Sequence, residues 1–229
     1  MIALSPDRVR PVDLAEKALK MFESEIESAN IDAAVCVNES FTQMNIDEVI
    51  LDPSRLLQVL INLITNAIKV CDFSSHSLHR ALISLQFTKD EAKEKKEIRV
   101  CLSASSTRPE MDASHDIRYI PPKARDESAR EPLARRSSVA SDDNFLGTAI
   151  WLQFAVEDSG KGLNEDELNV LFNRFRQASA KTFSNYGGSG LGLFISRELT
   201  ELQGGQIGVS SRRGRGVMLC VFRQSFTNT

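Results

Sequence analysis

Four glycines stand just before a helical pattern near the C-terminal end of the sequence. Gly187, Gly188, Gly190 and Gly192 lie within "YGGSGLGL" (186–193), and the apolar residues that follow share one helical face. Glycines ahead of a helix leave bare backbone N–H groups that can surround a phosphate. A tight turn that packs the helix closely explains the same residues. The stretch matches neither a Walker A loop nor the dinucleotide-binding fingerprint.

A predicted helix in the first third of the chain carries a stripe of polar residues along one face. Asn62, Asn66 and Lys69 are spaced by four and three residues, so a helix places them on one face. Amide oxygens are acceptable Mg²⁺ ligands, and a lysine meets phosphate as a point charge. A polar helix face in solvent is the alternative interpretation.

An apolar strand ends in an acidic residue at "VEDSGKGL" (156–163). Asp158 can accept a hydrogen bond from an amino group such as that of adenine, and Gly160 and Gly162 allow a flat ring to approach the backbone. A plain Asp-Ser-Gly turn accounts for the same residues.

The elements that must position these residues can be read from periodicity and from turn residues. Asp52 followed by Pro53 predicts a helix start, because the aspartate caps the first N–H groups and proline needs none. That helix runs through residue 70. The other predicted elements are a helix over 12–28, strands over 31–37, 82–87, 97–103 and 149–158, a helix over 164–175, a helix after residue 190, and a hairpin over 205–222.

Residues 103–147 differ in composition from the rest of the chain. They are rich in Ser, Arg, Pro and Asp and poor in large apolar residues, which predicts an exposed, disordered insertion. Within it, "RRSSV" (135–139) is similar to a basophilic serine-kinase site, with Ser138 as acceptor. Apart from this insertion, the sequence predicts one α/β domain over 10–226.

The overall composition narrows the class of protein. The 229 residues are 41% hydrophobic and 26% charged with a formal net charge of −3, which does not suggest a nucleic-acid-binding domain. No apolar run is long enough to predict a membrane span, and no signal-peptide pattern begins the chain. Four scattered cysteines without a CxxC pair predict reduced core thiols and a cytoplasmic location.

Four segments in order resemble one family. "DPSRLLQVLINLITNAIKV" is similar to the N box, "VEDSGKGL" to the G1 box, "LFNRFRQAS" to the F box and "GGSGLGLFISRELTELQGG" to the G2 box of sensor histidine kinases. In that family the four boxes form the ATP-binding catalytic domain of the GHKL superfamily. The residues "FRQAS" and "YGGSGLGL" within 175–193 most resemble the sequences of fungal hybrid kinases. The resemblance implies a two-layer α/β sandwich of the Bergerat type, with a mixed sheet packed against helices.

The resemblance also implies a role for each matching residue. Asn66 would hold Mg²⁺, Asn62 and Lys69 would line the phosphate side, and Asp158 would take the adenine amino group. Phe172 and Phe175 would anchor a lid over about 176–190. The remaining implied ATP-binding residues are Gly160 and Gly162 beside the base, and Gly188, Gly190, Leu191 and Gly192 at the phosphates.

The family's activity would be transfer of the γ-phosphoryl group of Mg-ATP to a histidine. His76, His79 and His115 lie outside any H-box pattern, so no catalytic histidine is expected in the chain. The expected partners are a separate dimerisation and phosphoacceptor hairpin and a receiver domain; neither is expected in this chain. A GHKL-type ATPase or a nucleotide-binding scaffold without transfer activity is the alternative. Hydrolytic relatives typically carry a glutamate base at the position of Asn62, which counts against the ATPase.

Overall fold

The computed structural model of the chain describes residues 4–81, 96–107, 117–121, 148–173, 190–211, 214 and 216–227. Six helices lie in these ranges: α1 Pro11–Lys20, α2 Glu23–Ser28, α3 Glu39–Gln43, α4 Pro53–Ala81, α5 Glu165–Val170 and α6 Gly192–Leu202. The strands are β1 Asp7–Val9, β2 Asp32–Val37, β3 Val49–Leu51, β4 Glu97–Ser105, β5 Arg118–Tyr119, β6 Thr148–Asp158, β7 Gln206–Ser211 and β8 Val217–Thr227.

The eight strands form one mixed sheet. Its main order is β1-β3-β8-β6-β4-β2, and β7 pairs with both β8 and β5. The β2–β4 pair is parallel, whereas the other pairs are antiparallel. The predicted mixed sheet is confirmed.

Helices cover one face of this sheet and form the second layer. The helix α4 packs against α1, α6, β4 and β6. Alternate residues of β6 point into the core, from Ile150 to Val156, and meet the apolar face of α4 that includes Leu60 and Ile64. The predicted two-layer sandwich is therefore confirmed.

The start of α4 follows the sequence prediction. Oδ1 of Asp52 accepts a hydrogen bond from the backbone N–H of Arg55 at 3.0 Å, and Pro53 is the first helical residue. Oδ2 of Asp52 accepts from the N–H of Ser5 at 2.9 Å, which ties the start of the chain to the cap. The helix continues to Ala81, beyond its predicted end at residue 70. The strand predicted over 82–87 lies outside the described residues.

The prediction of a disordered insertion over 103–147 is wrong at two places. The strand β4 continues to Ser105, because Ala104 still points into the core and pairs with Leu152. Farther along, Ile117 is buried, and β5 pairs with β7. These few apolar residues cover enough of the sheet to order their segment, which an average over 45 residues conceals. The rest of the insertion, including Ser138, lies outside the described residues.

Polar contacts hold the 117–121 segment against two helices. The Arg118 guanidinium donates to Oε2 of Glu165 at 2.8 Å and to Oδ1 of Asn169 at 3.0 Å, both on the α5 side. The Arg197 guanidinium of α6 donates to the carbonyl of Pro121 at 2.8 Å. The segment is thus an integral part of the domain. No helix in the described part of the chain is long and apolar enough to cross a membrane.

Candidate nucleotide-binding site

Asp158 ends the central strand β6 and is held there by backbone donors. Its Oδ1 accepts hydrogen bonds from the N–H of Gly160 at 2.9 Å and from the N–H of Val217 at 3.3 Å. Neither donor is bound to Oδ2, and the structure records no bond from Oδ2 to another described residue. One carboxylate oxygen is therefore fixed, and the other can accept from a ligand.

Burial makes this carboxylate unusual. It raises the pKa of Asp158 from 3.8 to about 6, although the two backbone hydrogen bonds act in the opposite direction. A buried carboxylate that lacks a cationic partner gains stability from any donor that a ligand brings. Such a perturbed group at a strand end is a candidate for a functional site.

The two glycines after Asp158 allow close approach of the chain. A Cβ on Gly160 would overlap Cγ1 of Val70 and come within 2.9 Å of Oδ1 of Asp158. Gly162 has a φ of 69°, which glycine adopts without strain. The glycines therefore let the loop lie directly against the helix that carries the polar stripe.

The polar stripe of α4 reaches this loop at its C-terminal end. Val70 packs at Gly160, and the next residue, Cys71, lies near the carboxylate: burial raises the pKa of Cys71 and the charge of Asp158 raises it further. Lys69 and Asn66 are half-buried, and the structure records no hydrogen bond between their side chains and another described residue. These two polar groups are available to a ligand.

Asn62 meets the other candidate segment. Its side-chain N–H donates to the carbonyl of Gly192 at 3.3 Å and to Oγ of Ser196 at 3.2 Å. Ser196 in turn donates to the carbonyl of Gly192 at 3.0 Å. Because that carbonyl can only accept, the NH₂ end of the amide must face it, which leaves the Asn62 oxygen for other partners. The structure thus brings together Asn62 and Gly192, which are 130 residues apart.

The glycine segment ends where α6 begins. Gly190 has a φ of 66°, Leu191 is the N-cap residue, and the first helical hydrogen bond runs from the N–H of Ile195 to the carbonyl of Leu191. Among the described residues no side chain caps this end, so the first N–H groups of α6 are available to an anion. Gly188 lies outside the described residues.

The structure describes one of the two predicted lid anchors, Phe172. Phe172 is buried in the main core with 4% of its surface exposed, packed after α5. Phe175 and nearly all of the predicted lid lie outside the described residues. The assignment of Phe172 as an anchor stays a prediction.

One helix therefore links the groups that the sequence singled out. Asn62 and Lys69 are about 10 Å apart along α4, given a rise of about 1.5 Å per residue. The glycine segment at Gly192 meets the Asn62 end, and the loop after Asp158 meets the end near Lys69. An elongated ligand with a hydrogen-bond donor at one end and negative charge at the other matches this arrangement.

Comparisons with known proteins agree with this geometry. Residues 138–226 match the family of histidine kinase-, DNA gyrase B- and HSP90-like ATPases. Histidine kinase 5 of Arabidopsis thaliana is 31% identical over 170 residues, covering 74% of this chain and 14% of that protein. The histidine kinase mak2 of Schizosaccharomyces pombe, described as peroxide stress-activated, is 48% identical over 84 residues, covering 37% of this chain and 4% of that protein. The chain belongs to the histidine kinase-type ATPase family.

A solved structure supports the same fold. Full-length ShkA in complex with AMPPNP aligns with 100% of this chain and 33% of its own length, with a TM-score of 0.57 and 20% identity. At this identity the likeness establishes the fold. The chain spans only a small part of the curated histidine kinases that it matches, 14% of histidine kinase 5 and 4% of mak2.

Three residues that contribute to the candidate site were not predicted from the sequence. Ser196 is fully buried and completes the contact between α4 and α6, and Val217 supplies a backbone donor to Asp158. Gly216, with a φ of 83°, lies so close that a Cβ would overlap the carbonyl of Asp158. The repeated glycines in "RRGRG" were the available signal, but they also suit an ordinary hairpin turn.

The cysteines divide into two pairs by environment. All four are free thiols; Cys71 and Cys220 are buried, whereas Cys36 and Cys101 are half-buried. The prediction of core cysteines is therefore right for two of them only. Among the described residues, no cluster of three His, Cys, Asp or Glu side chains could hold a metal ion.

Proposed function

We propose that this chain binds Mg-ATP and, as part of a protein-histidine kinase, donates the γ-phosphoryl group to a histidine on a separate domain. The observation that carries the proposal is the half-satisfied carboxylate of Asp158, which faces the same helix as the glycine segment at Gly192. The adenine amino group would donate to Oδ2 of Asp158. The phosphates would lie toward the N-terminus of α6. Lys69 lies about 10 Å farther along α4, at the Asp158 end, so its long side chain would extend toward the phosphates as a cationic contact.

The donor set also suits a magnesium ion bound together with the nucleotide. The side chain of Asn66 offers an amide oxygen on the polar stripe, and Mg²⁺ in such sites takes one or two protein ligands plus phosphates and waters. Asn66 would hold the ion, which when bound neutralises charge on the phosphate oxygens. The role of the protein in transfer is then to orient the triphosphate and to exclude water from it.

The acceptor must come from elsewhere in this proposal. His76 and His79 fall on the last turns of α4, and His115 lies outside the described residues. None of the three follows a pattern typical of a phosphoacceptor. The partners that we propose are therefore a helical hairpin that carries the acceptor histidine and a receiver domain.

Hydrolysis is the second candidate function, and the contacts of Asn62 argue against it. A general base at this position must accept a proton from water, which an amide does not do at neutral pH. Here the Asn62 NH₂ group instead holds the start of α6 through Gly192 and Ser196. We therefore expect slow hydrolysis and a positioning role for Asn62.

A titration with AMPPNP over pH 5–8 tests nucleotide binding. Removal of a hydrogen bond to a charged acceptor costs roughly 10–100-fold in affinity, so Asp158→Asn should weaken binding by that amount at pH 7. Since the pKa of Asp158 is about 6, the wild-type advantage should shrink as the pH falls below 6, because a protonated carboxyl is a poorer acceptor. The ratio of the two affinities cancels the titration of the ligand itself.

Asp166→Asn is the matched control, since Asp166 is an exposed acid on α5. Equal effects of the two variants would contradict a specific role for Asp158. A second assay adds labelled ATP and a cognate phosphoacceptor hairpin to the chain. Acid-labile label on the hairpin supports the kinase, binding without transfer supports a scaffold, and phosphate release that Asn66→Ala abolishes supports the ATPase.

A further inference from the structure

Two thiols face each other across neighbouring strands. In the parallel ladder of β2 and β4, Cys36 is the direct register partner of Cys101. Residues paired in this way carry their side chains on the same face of the sheet. Both thiols are free and half-buried, so a small reagent can reach them.

The spacing of this pair suits a covalent bond. Neighbouring strands lie about 4.8 Å apart, and the Cα atoms of a disulfide are usually about 4.4–6.8 Å apart. The Cys36 side chain also contributes to the raised pKa of the Cys101 thiol, as expected for two thiols that are close neighbours across the ladder. The backbone therefore needs only a small adjustment to bring the two sulfurs to bonding distance.

The pair lies on the sheet face opposite the helices. Val100 and Leu102, the neighbours of Cys101, point into the main core beneath α4. Cys101 instead borders the small cluster of Ile117, Ala155 and Cys220 on the other face. The thiols are thus separated by the sheet from the helix that carries the nucleotide-binding stripe, and their chemistry does not depend on the proposed function.

We propose that Cys36 and Cys101 form a dithiol site that a low-molecular-weight disulfide oxidises to a cross-strand disulfide. The Cys36 thiolate attacks one sulfur of the reagent, which forms a mixed disulfide and releases one thiolate. The Cys101 sulfur then attacks Sγ of Cys36, which forms the protein disulfide and releases the second thiolate. The two protein protons leave with the two thiolates, so two protein thiols are oxidised and one reagent disulfide is reduced.

The environment sets the order of these two steps. Burial raises the pKa of Cys101 to about 12, and the charge of Glu157 acts in the same direction. Cys101 therefore stays protonated at neutral pH, and the first attack belongs to Cys36. Cys101 loses its proton only as it attacks the mixed disulfide on the neighbouring strand.

The disulfide would secure the end of the sheet. Among the described strands β2 is terminal and pairs only with β4. A bond between residues 36 and 101 closes a long loop, which restricts the unfolded chain. We expect the thermal unfolding midpoint of the oxidised chain to rise by roughly 5 °C and to return when the disulfide is reduced.

The test equilibrates the full chain in buffers of reduced and oxidised glutathione, blocks free thiols with iodoacetamide, and maps the digest by mass spectrometry. The expected product is a peptide pair that joins Cys36 to Cys101 within one chain, together with the higher unfolding midpoint. Cys36→Ser and Cys101→Ser should each abolish both results. Cys220→Ala, which alters the buried thiol on the same face, should retain them.

Three results would overturn the proposal. One is a stable mixed disulfide of glutathione on Cys36 with Cys101 still alkylated. Another is a cross-link between two chains, and the third is a bond that includes Cys220.

Discussion

The two ends of the polar stripe on α4 differ in how far the protein satisfies its own polar groups. At the Asn62 end, the amide NH₂ group donates to two acceptors of α6. At the other end, Asp158 has one oxygen held by backbone donors, and its burial raises the pKa of the carboxyl to about 6. The first end stabilises the folded chain, whereas the second destabilises it at neutral pH and leaves an acceptor for a ligand.

This difference separates two quantities that mutations often change together. Substitutions at either end should weaken nucleotide binding if the proposed function is right. Removal of the Asn62 amide and removal of the Asp158 charge should change the free energy of unfolding with opposite signs, because the amide supports the fold and the buried charge opposes it. The predictions below vary one end at a time.

Gly216→Ala should have the largest effect, because it disturbs the backbone beneath Asp158. A Cβ there would overlap the Asp158 carbonyl, and the residue has a φ of 83°. Left-handed backbone strain and overpacking against main chain together predict a loss of about 2–4 kcal/mol in the free energy of unfolding. Denaturant unfolding at pH 7 measures it.

Gly214→Ala is the matched control for this substitution. Gly214 has a similar φ of 80°, but a Cβ on it would meet nothing within 4 Å. Gly214→Ala should therefore lower the free energy of unfolding through backbone strain alone, by about 1–2 kcal/mol. Equal losses for the two variants would mean that the contact with Asp158 is unimportant.

Asp158→Asn should stabilise the chain at neutral pH. The folded-state pKa of about 6 lies above the ordinary value of 3.8, so the folded chain holds its proton more tightly than the unfolded chain. Ionisation of Asp158 therefore lowers the free energy of unfolding as the pH rises from about 4 to about 6, by about 3 kcal/mol in total. Asparagine keeps an oxygen for the N–H groups of Gly160 and Val217 and avoids this cost.

Unfolding of both proteins at pH 4 and pH 7 checks the sign. The variant should be more stable by up to about 3 kcal/mol at pH 7 and nearly equal to wild type at pH 4. Asp166→Asn serves again as the exposed control, with little change at either pH. A variant that is less stable than wild type at pH 7 would show that the charge of Asp158 supports the fold.

Much of this fold could be predicted from the sequence because the signals are local. Asp52 and Pro53 mark a helix start within two residues, and the alternation through residues 149–158 marks a strand that ends at Asp158. The resemblance to histidine kinases added the two-layer arrangement. Both the helix start and the strand end describe how a short segment satisfies its own backbone groups.

The contacts that assemble the candidate site could not be predicted in the same way. Nothing in the sequence around Ser196 indicates that it meets Asn62, which lies 134 residues earlier. Gly216 lies in a glycine-rich segment typical of a hairpin turn. Its close approach to the carbonyl of Asp158 depends on a strand from another part of the chain. Ile117 and Tyr119 are too few to alter the average composition of their segment, although they cover part of the sheet.

Substitutions at the Asn62 end should change the free energy of unfolding by a smaller amount. Comparing variants that remove or replace the donor in steps measures how much this contact contributes. Asn62→Ala removes the donor to Gly192 and Ser196 and should cost about 1 kcal/mol in the free energy of unfolding, measured with denaturant. Ser196→Ala should cost less, because Asn62 can still donate to the Gly192 carbonyl. Asn62→Asp keeps the size but replaces the donor with a carboxylate facing that carbonyl, so it should cost more than alanine does. If Asn62→Asp were as stable as wild type, the NH₂ group could not be holding α6, and the contrast between the two ends of α4 would be lost.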